Sequence, residues 1–169
     1  MSDITIRLAV RDDLPRLHAV IERAYRGDSA RAGWTHEADL LDGTRTDIAT
    51  LEASLANPAE RLLVALNGDA PIGCVQVTDR GDGLAYLGLL CIEPTLQTAG
   101  LGKRLIDAAE TLARGTFGTS AMEMTVIENR VELIAYYERR GYVRTGERRD
   151  FPVAVIPPFY MTVLVKPLA

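Results

Sequence analysis

One stretch leaves this chain few folds to choose from. Leu87 to Leu112, LGLLCIEPTLQTAGLGKRLIDAAETL, opens as an apolar run bounded by Pro94 and closes as an amphipathic helix. The run predicts a buried strand over about Tyr86 to Ile92. Leu101, Leu105, Ala108, Ala109 and Leu112 recur at the spacing of one helix face. Between them lies Gln97-Thr98-Ala99-Gly100-Leu101-Gly102. A turn that opens a helix this way aims free backbone N–H groups and the positive end of the helix dipole at one point. Its glycines let an anion approach the backbone, so the turn suits a phosphate or pyrophosphate. The P-loop pattern does not fit, because it needs Gly at 97 and Ser or Thr at 104, where this chain has Gln97 and Arg104. The dinucleotide fingerprint needs three spaced glycines, and only Gly100 and Gly102 are present. What remains is Gln-x-x-Gly-x-Gly.

The 169 residues are enough for one domain with a substantial core. With 47% hydrophobic and 25% charged residues the composition is that of an ordinary globular protein. A net charge of −4 argues against a nucleic-acid partner, which requires a concentrated basic face. No signal peptide and no apolar membrane-length span is visible, which predicts a cytoplasmic protein without a membrane partner. Cys74 and Cys91 are too few for a disulfide framework and form no Cys-x-x-Cys pair. No His/Cys cluster predicts a metal.

Taken in order, Ile4, Ile6 and Leu8 alternate with polar neighbours as a half-buried first strand does. Asp12 or Asp13 is then placed to cap a helix with Pro15 in its first turn. Polar, glycine-punctuated chain from Gly27 to Gly43 precedes a second helix, about Thr46 to Ala56, ended by Asn57-Pro58. Arg61–Leu66 and Ala70–Thr78 read as a hairpin about Asn67-Gly68-Asp69. After the central unit, Ala121–Ile127 alternates as a strand. Asn129 with Glu132 resembles a capping box for another helix, with Gly141 as its C′ residue. Tyr142–Arg149 and Tyr160–Val165 are the last strands, joined across Pro152 to Pro158. The predicted order, β-α-α-β-β-β-α-β-α-β-β, is an α/β (α+β) mixed sheet with helices on both faces.

That order, over essentially the whole chain, resembles the GNAT superfamily of N-acetyltransferases. Ile6-Arg7-Leu8-Ala9 with Asp13-Leu14 resembles the family's opening strand and helix start, and Leu90-Cys91-Ile92-Glu93-Pro94 its central strand. Gln97-x-x-Gly100-x-Gly102 is similar to its pyrophosphate loop. Asn129, then Ala135-Tyr136-Tyr137-Glu138-Arg139-Arg140-Gly141-Tyr142, resembles its last helix and the Gly-aromatic that follows. The resemblance implies a mostly antiparallel central sheet splayed between its fourth and fifth strands. It implies an acyltransferase that moves an acetyl group from acetyl-CoA to an amine, with no metal.

In such a protein the backbone of Leu90, Cys91 and Ile92 would pair with pantetheine, and one N–H would polarise the thioester carbonyl. Gln97, Thr98, Ala99, Gly100, Leu101, Gly102 and Lys103 would hold the pyrophosphate. The family often carries basic residues where this chain has Thr98 and Ala99, and Lys103 and Arg104 could supply part of that charge. Tyr137, four residues before Gly141, would be the general acid for the leaving thiolate. Tyr136 points about 100° away around the helix, so one ring should face CoA and the other the core. Asn129 would cap its helix or touch the cofactor. The base is left open among Glu93, Glu123, His36 with Glu37, and a water chain. A covalent acetyl-Cys91 intermediate is the alternative to direct attack in a ternary complex, and a buried inert cysteine is the preferred reading. Trp34, His36 and Glu37, with Asp39, Asp42 and Asp47, could bind the acceptor. A small-molecule primary amine is the leading acceptor, a protein or peptide amine the second, and a non-catalytic acetyl-CoA sensor the third reading. Phe151 and Phe159, around the prolines, could support a homodimer.

Overall fold

A computed structural model describes residues 4–25, 46–96, 100–150 and 160–168. Its strands are β1 (Ile4–Leu8), β2 (Glu60–Asn67), β3 (Ala70–Gly81), β4 (Leu84–Ile92), β5 (Ala121–Ile127), β6 (Val143–Asp150) and β7 (Tyr160–Pro167). Its helices are α1 (Leu14–Tyr25), α2 (Ile48–Ala56), α3 (Leu101–Phe117) and α4 (Val131–Arg139). The element order is the one predicted. The strands form a single mixed sheet in the order β1-β2-β3-β4-β5-β7-β6. Every neighbouring pair is antiparallel except β4 and β5.

Alternation along the strands builds a core on each face. Leu62, Val64, Leu66, Cys74, Leu89 and Cys91 turn to α1 and α2, where they meet Leu14, Leu17, Ile21 and Leu51. Leu63, Ala65, Val75, Val77, Ala85, Leu87 and Ile92 turn to the other face, where Leu105, Ile106 and Ala109 of α3 and Ile134 and Tyr137 of α4 cover them. Gly68, at φ +63°, makes the β2–β3 turn that Asn67-Gly68-Asp69 predicts. Gly141, at φ +99°, stands just past α4 as its C′ residue.

The helix starts differ from expectation. α1 begins at Leu14 after a 3₁₀ turn over Arg11–Asp13, and Asp13 reaches back to accept from the Val10 N–H at 2.8 Å instead of capping forward. Its carboxylate also takes both guanidinium nitrogens of Arg7, at 2.8 and 3.0 Å. α2 begins at Ile48, with Asp47 as the N-cap accepting from Thr50 N–H at 2.7 Å. The capping box at Asn129 does not form: Arg130 is the N-cap of α4, with no side-chain cap, and Asn129 is an exposed turn residue. The prolines of 152–158, Phe151 and Phe159 lie outside the described residues.

An ion pair ties α3 to the strand beneath it. Glu110 of α3 is buried and accepts from Lys166 Nζ of β7 at 2.9 and 3.1 Å and from the Tyr142 hydroxyl at 3.0 Å. Among the described residues no helix is long and apolar enough to cross a membrane.

Candidate active site

β4 and β5 pair as parallel neighbours only over Leu84↔Ala121, Ala85↔Met122 and Tyr86↔Glu123. Past Tyr86 the ladder stops while both strands continue, β4 to Ile92 and β5 to Ile127. The Tyr86 hydroxyl meets Thr125 Oγ1 at 2.5 Å across the root of the opening. Such a split gives an extended ligand chain a slot beside strand backbone.

At this slot β4 is not regular. Its register with β3 jumps from Gln76↔Gly88 to Cys74↔Cys91, so Leu89 and Leu90 stand opposite Val75 alone. This is a β-bulge, a device that re-aims backbone groups next to active sites. Leu89 takes φ +51°, a left-handed conformation that a branched side chain adopts only under constraint. Its carbonyl accepts from the Cys74 thiol at 3.4 Å. The bulge sets the side chains of the predicted pantetheine track on both faces: Leu90 packs toward α3, Cys91 toward α1, and Ile92 beneath the start of α3. Cys91 is 4% exposed and its sulfur lies 3.5 Å from that of Cys74. The thiol is packed in the α1-side core, buried as its strand position predicts.

The turn after β4 leads to Gly100, which takes φ +78° as the N-cap of α3. Gly100 brings no capping side chain, and no acidic residue lies in the first turn of α3. The seventeen residues of α3 supply a dipole directed at that end. A Cβ on Gly102 would stand 2.7 Å from the Tyr136 hydroxyl and 3.2 Å from Ile92 Cδ1, so only glycine lets these packed groups close up there. These features fit a phosphate-bearing ligand. Gln97, Thr98 and Ala99 lie outside the described residues. The charge expected from the next two positions is engaged elsewhere: Lys103 pairs with Asp107 at 3.1 Å, and Arg104 donates to the Ile4 carbonyl at 3.3 Å.

The adjacent tyrosines separate as their 100° offset requires. Tyr136 is half-buried against the start of α3, with the Arg140 guanidinium 4.5 Å from its ring centre. Tyr137 is 6% exposed in the α3-side core, edge-on to Tyr142 at 6.3 Å. Burial raises its phenol well above the ordinary value, partly opposed by the nearby charge of Arg130 and reinforced by Tyr136 and Tyr86. The phenol therefore keeps its proton at neutral pH.

Two of the acid side chains considered as bases are clamped by arginine. Glu93 accepts from Arg23 at 2.7 and 3.0 Å, and buried Glu123 accepts from Arg149 at 2.9 and 3.1 Å. Trp34, His36 and Glu37 lie outside the described residues, as do Asp39 and Asp42, while Asp47 is spent on the α2 cap. Among the described residues no cluster of His, Cys, Asp or Glu is placed to hold a metal ion.

On the α2 side of the sheet the bulge borders a cavity of about 310 Å³. Thr46, Thr50, Leu51 and Ser54 form its helical wall, Glu60, Gln76 and Thr78 its floor, and Tyr86, Gly88 and Leu89 its β4 edge. The sequence reading missed this cavity. Its only local signal is Gln76, a polar residue inside an otherwise apolar strand, and nothing in the chain pairs Gln76 with Glu60 before the hairpin register is known.

Residues 16–142 match the profile of the acetyltransferase (GNAT) family. A peptidyl-lysine N-acetyltransferase, YjaB of Salmonella typhimurium, is 24% identical over 129 residues, 73% of this chain and 81% of its own length. The ribosomal-protein-S18-alanine N-acetyltransferase from Escherichia coli superposes with a TM-score of 0.75 at 15% identity, covering 99% of this chain and 95% of its own. The yncA protein of Salmonella typhimurium, solved with its cofactor acetyl-CoA, superposes with a TM-score of 0.74 at 18% identity over 99% and 95% of the two chains. With its split sheet, its glycine-opened helix and a family match over three-quarters of its length, this chain belongs to the GNAT family of acyltransferases.

Proposed function

We infer that the protein transfers an acetyl group from acetyl-CoA to a primary amine of a small molecule, by direct attack with both substrates bound. The observation that carries this is the meeting of the donor slot and a separate cavity at the Leu89 bulge. The β4 backbone from the bulge to Ile92 tracks the pantetheine, and Gln97 to Lys103 with the α3 N-terminus hold the pyrophosphate. A backbone N–H at the bulge receives the oxygen that becomes negative as the amine adds; one such donor contributes about 3 kcal/mol in other acyl transfers. The new C–N bond forms as the C–S bond breaks. Tyr137, core-packed yet near enough to Tyr86 at the root of the split to interact with it, gives its proton to the departing thiolate, and the amine's proton leaves through water.

The buried Cys91 supports the direct route over an acetyl-cysteine intermediate, because its thiol faces Cys74 in the core. Initial rates with acetyl-CoA and amine varied together should give intersecting reciprocal plots. Parallel plots would contradict direct attack. The acetyltransferase YjaB acts on peptidyl lysine, which favours a protein amine as the second reading. A lysine-containing peptide turned over faster than every free amine tried would establish it in place of the first. The working enzyme is expected in the cytoplasm.

A further inference from the structure

On the floor of the cavity stands a carboxylate that meets no cation among the described residues. Glu60 accepts from Ser54 Oγ at 3.0 Å, from Asn57 Nδ2 at 2.7 Å, and from the Gln76 amide, all neutral donors. Gln76 also donates to Ser54 Oγ at 3.1 Å, which fixes the Glu60 oxygens toward the β3 side. Asp13, Glu93, Glu110 and Glu123, by contrast, are each matched by an arginine or lysine. The cation next in sequence, Arg61, turns away: it donates to the carbonyls of Pro58 and Glu60 and lies over the Phe117 ring at 5.2 Å. Arg80 is drawn to Glu123, with its guanidinium over the Tyr86 ring. Among the described residues no cation reaches the Glu60 carboxylate. A carboxylate in a half-open cavity attracts a mobile cation more strongly than one in bulk water.

Position adds a length. Glu60 pairs with Thr78 and Thr78 with Tyr86, so Glu60 stands two strands from the β4 edge of the same cavity, about 10 Å between backbones. Its side chain, held against Gln76, shortens that gap. We propose that Glu60 binds a second positive charge on the acceptor, so that the preferred acceptor is a short diamine whose far ammonium sits on Glu60 while the near nitrogen meets the Leu89 bulge. The assignment of the near nitrogen rests on the acetyl-transfer reading above, whereas the role of Glu60 concerns binding alone.

The test is calorimetric binding of putrescine and of butylamine to the full-length protein saturated with CoA, where no turnover occurs. Putrescine should bind about tenfold or more tighter than butylamine, and Glu60→Gln should close the gap between them. Equal affinities in the parent protein, or a gap that survives Glu60→Gln, overturn the proposal. Should Glu60→Gln fail to fold, Gln76→Lys places an ammonium beside Glu60 and must close the gap in its place. Amine-dependent release of CoA from acetyl-CoA, measured separately, decides the acetyl-transfer reading: diamine binding without release would leave Glu60 in its role and remove that reading.

Discussion

Leu89 holds a left-handed backbone conformation in the middle of an apolar strand, and such conformations cost about 1–3 kcal/mol. Nothing in the letters Gly88-Leu89-Leu90-Cys91 announces it, because a bulge is a property of pairing with β3. The residue roles legible beforehand were those fixed by local spacing: Gly100 at a helix start, Gly141 at a helix end, two tyrosines on different sides of one helix. Which tyrosine faces which way was not legible, since it depends on where α4 docks. Tyr137→Phe should lower turnover by roughly a hundredfold while acetyl-CoA still raises the melting temperature. Tyr136→Phe, beside Gly102, should act mainly on KM for acetyl-CoA. Unchanged turnover in Tyr137→Phe would remove its role as the acid. Asp13 makes a separate prediction about pH. Arg7 holds its carboxyl below the ordinary value, with the Val10 N–H adding to the effect. A depressed folded-state value means the unfolded chain binds more protons, so the stabilisation is present above about pH 4 and fades as pH falls through the folded value. Melting curves below pH 4 should therefore fall less steeply for Asp13→Asn than for the parent protein, and parallel curves would contradict the assignment.

Among the elements, β3 and β4 are the pair on which the site depends. Gly73 faces Ile92, and a Cβ there would come within 2.7 Å of the Cys91 carbonyl. Backbone cannot swing aside as a side-chain tip can, so Gly73→Ala must push the end of β4 away from β3. We expect a loss of about 1–3 kcal/mol in chemical denaturation, together with a raised KM for acetyl-CoA because the bulge moves with the strand. A substitution neutral in both would show that β4 tolerates displacement. Element identities were legible because apolar period and turn residues agree along the chain, as in Asn67-Gly68-Asp69. The capping box at Asn129 failed for a physical reason: the chain stays in a turn through Arg130, whose N–H bonds the Ile127 carbonyl, before the helix begins. The start of α3 at Gly100 was legible from its glycines. Its basic complement was not, since Lys103 and Arg104 find nearer partners.

For the molecule as a whole, the sheet sets an opening and a cavity on one seam. The opening, the proposed donor slot, lies where β4 leaves β5, and the cavity above α2 reaches the same seam from the other side of β4. The family order of elements disclosed the first. The second depends on long-range register, Glu60 across from Thr78 and Gln76 across from Gly88, which no local pattern encodes. Acetyl transfer requires that the two regions cooperate in one reaction. The measurement that decides this is thiol release from acetyl-CoA by the purified protein across a panel of small primary amines, with the products identified by mass. Release that requires both protein and amine, with the acetyl group recovered on the amine nitrogen, is the predicted result. Stabilisation of the protein by acetyl-CoA with no amine-dependent release from any amine or lysine peptide would contradict it and leave a binding domain without turnover.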